Sequence, residues 1–127
     1  MKIYLAGTFT DQATLREPAS KLWEMGHLVV GTWLQETKKS PHLSSDEHKR
    51  KLAIKDIAEV YSADLIILDN RQSSGGKNVE WGAALGRFHN SLLWLVGEPS
   101  NVFHYLADQQ FKSWEECYVY LESRNKV

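Results

Sequence analysis

Cysteine is nearly absent from this chain: Cys117 is the only one in 127 residues. One thiol excludes an internal disulfide and a cysteine-rich metal site, and with the histidines scattered no metal centre is expected. Excess charge of either sign is missing as well. Fifteen basic residues against sixteen acidic ones leave a net charge of −1. No global field therefore draws the chain to polymeric nucleic acid or to a membrane surface. A small anion would have to be held by local donors. No apolar run approaches the roughly 18 residues of a membrane span, and the N-terminus lacks the apolar stretch of a signal peptide. The expectation is a cytoplasmic protein of a reducing compartment with no membrane partner. Repeats, low-complexity tracts and linkers are missing too, so residues 1–127 read as one domain. Such a domain buries roughly two-thirds of its unfolded surface.

What the chain does contain is an alternation of apolar strands and amphipathic segments. Residues 2–6 read as a strand ending at Gly7, and 11–25 as a helix with Leu15, Ala19, Leu22 and Trp23 at helical spacing. Pro18 predicts that this helix begins near it, because proline is tolerated in a first turn. Gly26 ends the helix, and 27–33 is the second strand. The polar stretch 34–45 is long enough to be a lid. Ser44 or Ser45 caps a helix over about 46–61, whose apolar positions are Leu52, Ile54, Ile57, Ala58 and Tyr61. Residues 63–68 are almost wholly apolar, as in a strand covered on both faces of a parallel sheet. A fourth strand covers 91–96. A short helix from Pro99 to about Asp108, a short strand at Phe111 and a helix over 113–123 complete the chain. The pattern predicts a three-layer α/β/α fold around a parallel sheet of about five strands.

The most informative run is Ser73-Ser74-Gly75-Gly76-Lys77-Asn78-Val79-Glu80-Trp81-Gly82. It follows the third strand and opens a helix, with Glu80 expected in the first turn. Glycines let a ligand approach the backbone, and a helix start favours an anion. A carboxylate there is expected to stay ionised and to be able to attack an electrophilic carbon. The plainer reading is a strand–turn–helix junction whose Glu complements the dipole. Ligands of such sheets sit beyond the carboxyl ends of the strands, where this loop lies. Asp56, on the preceding helix, supplies a second carboxylate if that helix flanks the cleft; otherwise it is a solvated residue beside Lys55. Carboxylate pairs of this kind carry glycosyl transfer through a covalent intermediate.

Ile3-Tyr4-Leu5-Ala6-Gly7-Thr8-Phe9 resembles the opening "IYLAGPF"-type strand of the nucleoside 2-deoxyribosyltransferase family. Gly75 to Ala84 resembles that family's "GxxxELGxA" nucleophile motif, and the resemblance covers most of the chain. It implies a flavodoxin-like fold, no cofactor, and action on a small nucleoside or nucleotide. Its nucleophile falls on Glu80, its companion aspartate on Asp56, and the tyrosine that steadies the nucleophile on Tyr4. Placement beyond the strand ends, not the resemblance, makes Gly7, Thr8, Phe9 and Thr10 and Ser74, Gly75, Gly76, Lys77 and Asn78 the expected substrate contacts. A position that reaches the neighbouring subunit falls on His104 or Asn101. The resemblance also implies a homo-oligomer, a dimer or higher, whose active sites are completed across the interface.

Two positions depart from the family pattern. Deoxyribosyltransferases of free nucleosides carry an aspartate six residues before the nucleophile, where this chain has Ser74. Serine there resembles the hydrolase branch acting on deoxynucleoside 5′-monophosphates, since an aspartate would repel a phosphate while a hydroxyl donates to it. That branch also has an arginine after the first-strand glycine, where this chain has Thr10. Lys77, Arg71 or His104 is left to supply positive charge. Trp33 either stacks on a base or packs under the 34–45 segment, and Trp81 belongs to core or interface. Asn78 either donates to substrate or caps its helix. His42 and His48 flank the lid. The function expected is N-glycosidic cleavage or transfer with Glu80 as nucleophile. The alternatives are a nucleotide-binding or sensing module without turnover, motivated by Thr10 and Trp81, and a flavin or receiver module using Asp69.

Overall fold

The computed structural model describes residues 1–7, 12–35, 45–71, 76–86 and 92–125. In chain order these form β1 (Lys2–Ala6), α1 (Gln12–Glu24), β2 (Leu28–Val30), α2 (Asp46–Ser62), β3 (Leu65–Asn70), α3 (Gly76–Leu85), β4 (Leu92–Gly97), β5 (Gln109–Phe111) and α4 (Trp114–Asn125). Two 3-10 turns, Thr32–Gln35 and Val102–Leu106, precede α2 and β5. The strands are all parallel, in the order β2-β1-β3-β4-β5. This is the three-layer, flavodoxin-like architecture that the alternation and the resemblance implied. No helix among the described residues is long and apolar enough to cross a membrane.

Side chains alternate across the sheet, so register says which layer each residue meets. Tyr4 pairs with Ile66 of β3 and shares its face, and Tyr4 reaches Glu80 of α3. That face carries α2 and α3, which pack on each other. The opposite face carries α1 and α4. A Cβ on Gly7 would stand 2.6 Å from Leu15 Cδ1 of α1, and Asp69 meets Trp114 of α4. Between the layers every residue of β3 is buried. Gly97 ends β4 at φ 110°, where a Cβ would lie 2.8 Å from the Asn70 carbonyl carbon, so only glycine closes this strand end.

Four expectations about elements are corrected. Helix α1 runs through Pro18 instead of beginning there; Pro18 is buried, and that burial offsets the lost donor. Trp23, placed on its apolar stripe, is 66% exposed. Strand β2 stops at Val30, because Gly31 adopts φ 128° and turns the chain into the 3-10 segment that holds Trp33. The apolar positions proposed for α2 define its inner face only in part. Leu52 and Ile57 are half-buried as expected, but Ile54, Ala58 and Tyr61 are exposed, while Val60 is buried and Asp56 and Glu59 are half-buried. The inner face of the helix therefore mixes apolar residues with two carboxylates. Its cap is as expected: Ser45 Oγ accepts from the His48 backbone N–H at 3.2 Å.

Candidate active site

A sheet ordered 2-1-3-4-5 changes direction between β1 and β3, and the crevice beyond their carboxyl ends is where such folds take ligands. Three elements converge there. Tyr4 of β1 donates its hydroxyl to Glu80 Oε1 at 2.7 Å. Asp56, from α2, lies close enough for its charge to act on both groups.

Glu80 is the fifth residue of α3, and no acidic residue stands in the first turn. The expectation of an N-terminal carboxylate kept ionised by the dipole is thus corrected. Burial pushes the Glu80 carboxyl up to about 7, the Tyr4 hydrogen bond pulls it down, and the Asp56 charge raises it. Both forms of Glu80 are populated near neutrality. Tyr4 is raised far above a free phenol, first by burial and then by the charge and hydrogen bond of Glu80, with smaller pushes from Asp56 and Glu59. It is accordingly a fixed donor, occupying one oxygen of Glu80.

Glu59 did not stand out in the sequence. It follows Asp56 by three residues, one helical turn, and that spacing is the signal that would have found it. Its Oε2 accepts from the Gly31 N–H at 2.9 Å.

A second cluster forms about 200° around α3 from Glu80, on the side of Asn78. His104 is buried in its own chain. Its Nδ1 accepts from the Ser100 N–H at 3.0 Å, which leaves Nε2 to donate to Asn78 Oδ1 at 2.8 Å. Burial and then the charge of Lys77 lower its pKa, so this imidazole is neutral. Asn101 caps the second 3-10 turn, its Oδ1 accepting from the Phe103 and His104 N–H groups. Asn78 is the third residue of α3 and so not its N-cap residue, and its bond to His104 ties the helix to that turn.

A third cluster surrounds Asp69. Its carboxylate accepts from Arg71 N and Nε at 3.1 and 2.9 Å and from Trp114 Nε1 at 3.1 Å. The buried Lys77 donates Nζ to the Asp69 carbonyl at 3.1 Å. Arg71 and Lys77 are thus engaged with Asp69, and His104 is neutral. None of these three stands as the open cation considered for a phosphate. The same bonds occupy the Asp69 carboxylate that a receiver module would phosphorylate.

Trp33 is buried with its indole N–H on the Leu5 carbonyl at 2.9 Å, which is packing and not a stacking surface. Trp81 is core, its N–H on the Phe103 carbonyl at 3.0 Å and its ring edge-on to His104. Gly7 directly follows β1, and Gly76 opens α3. Thr8, Phe9, Thr10, Ser74 and Gly75, and His42 with most of the proposed lid, lie outside the described residues.

No protein-family model and no curated protein matches the sequence. In shape the chain is similar to solved structures. A 2-deoxyribosyltransferase from the psychrotolerant bacterium Bacillus psychrosaccharolyticus has a TM-score of 0.72 at 22% identity, over 92% of this chain and 90% of that one. A conserved protein from Enterococcus faecalis V583 matches at TM-score 0.72 and 16% identity, over 98% of each chain. The CMP N-glycosidase BcmB of Clostridium botulinum matches at 0.61 and 15%, over 96% of this chain and 99% of that one. The chain thus has the fold of a 2-deoxyribosyltransferase and of a CMP N-glycosidase, as the resemblance of its β1 and Glu80 motifs implied.

Proposed function

We propose that this protein cleaves or transfers at the N-glycosidic bond of a 2′-deoxynucleoside, or a nucleoside, or its 5′-monophosphate, with retention at the anomeric carbon. The observation that carries this reading is the Tyr4–Glu80 pair beside Asp56 at the β1/β3 crevice. Tyr4 holds one oxygen of Glu80 and leaves the other to attack. In the first step a Glu80 oxygen bonds to C1′ as the bond from C1′ to the base nitrogen breaks. The base departs with that electron pair and takes a proton from Asp56. The resulting glycosyl ester is opened by water in a hydrolase or by a second base in a transferase, and Asp56 recovers its proton from the incoming nucleophile. The half-buried Glu80 carboxylate favours the positive charge that develops on the sugar. No metal or organic cofactor enters this scheme.

The fold shared with a deoxyribosyltransferase and a CMP N-glycosidase supports the bond acted on. With Arg71, Lys77 and His104 engaged elsewhere, the monophosphate reading rests on Ser74 and the neighbouring backbone amides. The reading without turnover loses one of its two motives, because Trp81 is packed in the core. Incubation with deoxynucleosides, ribonucleosides and their 5′-monophosphates, with and without an acceptor base, is expected to release or exchange base. Glu80→Ala is expected to lower that rate by at least a hundredfold, and a glycosyl adduct on Glu80 should be detectable by mass spectrometry. Base release undiminished in Glu80→Ala would refute the mechanism.

A further inference from the structure

Asp56 and Glu59 lie one turn apart on α2, and the helix turns both towards the sheet. Their surroundings differ. Asp56 acts on the Tyr4–Glu80 pair by its charge, whereas Glu59 is bonded to backbone: its Oε2 receives the Gly31 N–H at 2.9 Å. Gly31 is where β2 breaks off. It follows Val30, which pairs with Tyr4 in the sheet. Its φ of 128° is one that residues with a side chain rarely adopt. The turn it starts is closed by the Leu34 N–H on the Gly31 carbonyl at 3.2 Å, and Trp33 Nε1 ties it to Leu5 of β1.

This turn faces the tyrosine. A Cβ built on Gly31 would stand 3.6 Å from Tyr4 Cε2 and 3.5 Å from the Trp33 ring, so the open side of Gly31 looks onto the phenol and any side chain there would touch it. The Tyr4 hydroxyl in turn has Glu80 Oε1 as its acceptor at 2.7 Å. Glu59, the Gly31 turn, the Tyr4 ring and the carboxylate on which the proposed reaction turns therefore lie in succession, with Val30 of the same segment paired to Tyr4.

We propose that Glu59 is a positioning residue of this site: by anchoring the Gly31 turn to α2 it holds the Tyr4 ring so that its hydroxyl donates to Glu80. The role of Glu80 itself rests on the function proposed above; the anchoring of Tyr4 does not.

Pin and charge have opposite signs, which makes the inference testable. Groups whose charges act on the pair come from every element around it: Tyr4 on β1, Asp56 and Glu59 on α2, and Glu80 on α3. The Tyr4 hydrogen bond lowers the Glu80 pKa. Loosening Tyr4 therefore raises that pKa, whereas removing a nearby negative charge alone lowers it or leaves it unchanged. Glu59→Ala removes pin and charge together. Glu59→Gln keeps an oxygen that accepts from Gly31 and removes only the charge. Glu59→Asp keeps the charge but shortens the reach, and it serves if the alanine variant does not fold.

The measurement is the ionisation of Glu80, read from its carboxyl 13C shift and from the acidic limb of the kcat/KM profile. In Glu59→Ala or Glu59→Asp it is expected to move up by about half a pH unit or more. Glu59→Gln should show no upward shift. In a Tyr4→Phe background, where the hydroxyl is already gone, Glu59→Ala should raise it no further. An unchanged or lowered Glu80 pKa in both disrupting variants, or an upward shift that persists without the Tyr4 hydroxyl, overturns the proposal. Absence of base release by the unaltered protein would instead refute the glycosidic reading, while the 13C titration would still decide the role of Glu59.

Discussion

At the scale of single residues, the site is governed by desolvation more than by any local sequence signal. Glu80 begins from an ordinary carboxyl value of 4.5 and is raised to about 7, with burial the largest cause. Its folded-state pKa lies above its unfolded one, so the native state holds the proton more tightly. The stability tied to that proton is fully present below about pH 4.5 and is lost as pH rises through about 7. Across that window the ionising carboxyl withdraws on the order of 2 kcal/mol from the fold. Glu80→Gln removes the titration while keeping an oxygen for Tyr4. Urea unfolding at pH 5 and pH 8 should therefore show the variant gaining on the parent at the higher pH by roughly that amount. A parallel pH dependence in both proteins would refute the burial argument. Cys117 is the contrasting case: burial pushes its thiol up to about 12, and it is a core residue.

At the scale of elements, strand and helix periods are local and were largely legible, and the failures have local rules overruled by packing. Proline at 18 is a breaker by its own chemistry, yet its burial beneath α1 keeps the helix continuous. The inner face of α2 was only half legible: hydrophobicity pointed to Leu52 and Ile57, but not to Asp56 and Glu59, which are half-buried beside them. Asp69 illustrates a device that no periodicity announces. Arg71, two residues after it, bonds its carboxylate, and Lys77 of α3 bonds its carbonyl. Trp114 joins α4 to the same carboxylate. Asp69→Ala leaves the buried indole N–H without that acceptor and the Arg71 guanidinium without its carboxylate. The expected cost is about 3 kcal/mol, visible as a lower urea midpoint. A loss under about 1 kcal/mol would mean that the bonds to Asp69 are not what join α4 to the end of β3.

At the scale of the whole molecule, the exposed apolar surface is unevenly placed. Val79 on α3 and Val102, Phe103, Tyr105 and Leu106 on the second 3-10 turn are each at least 58% exposed. A groove of about 620 Å³ between them is lined by Val79, Trp81, Leu85 and Phe103, among others. Exposed apolar side chains beside such a groove are a feature of contact surfaces. They support the proposed homo-oligomer, for which light scattering should report a dimer or larger. Phe103→Glu is expected to shift the protein towards monomer and to lower base release if sites are shared; a monomeric parent would refute the assembly. The amino-acid sequence by itself determined the order of strands and helices, the parallel sheet, and the position of Glu80 shortly beyond a strand end. Those follow from periodicity, glycine and strand composition, which act over a few residues. Tyr4 and Glu80 were named together only through a family resemblance, for they stand 76 residues apart, and nothing between them encodes a 2.7 Å contact. That contact, the inward turn of Asp56 and Glu59, and the acidity of Glu80 were decided only by the tertiary structure. The reason is physical: desolvation and hydrogen-bond distance exist only once β1, α2 and α3 are packed against one another.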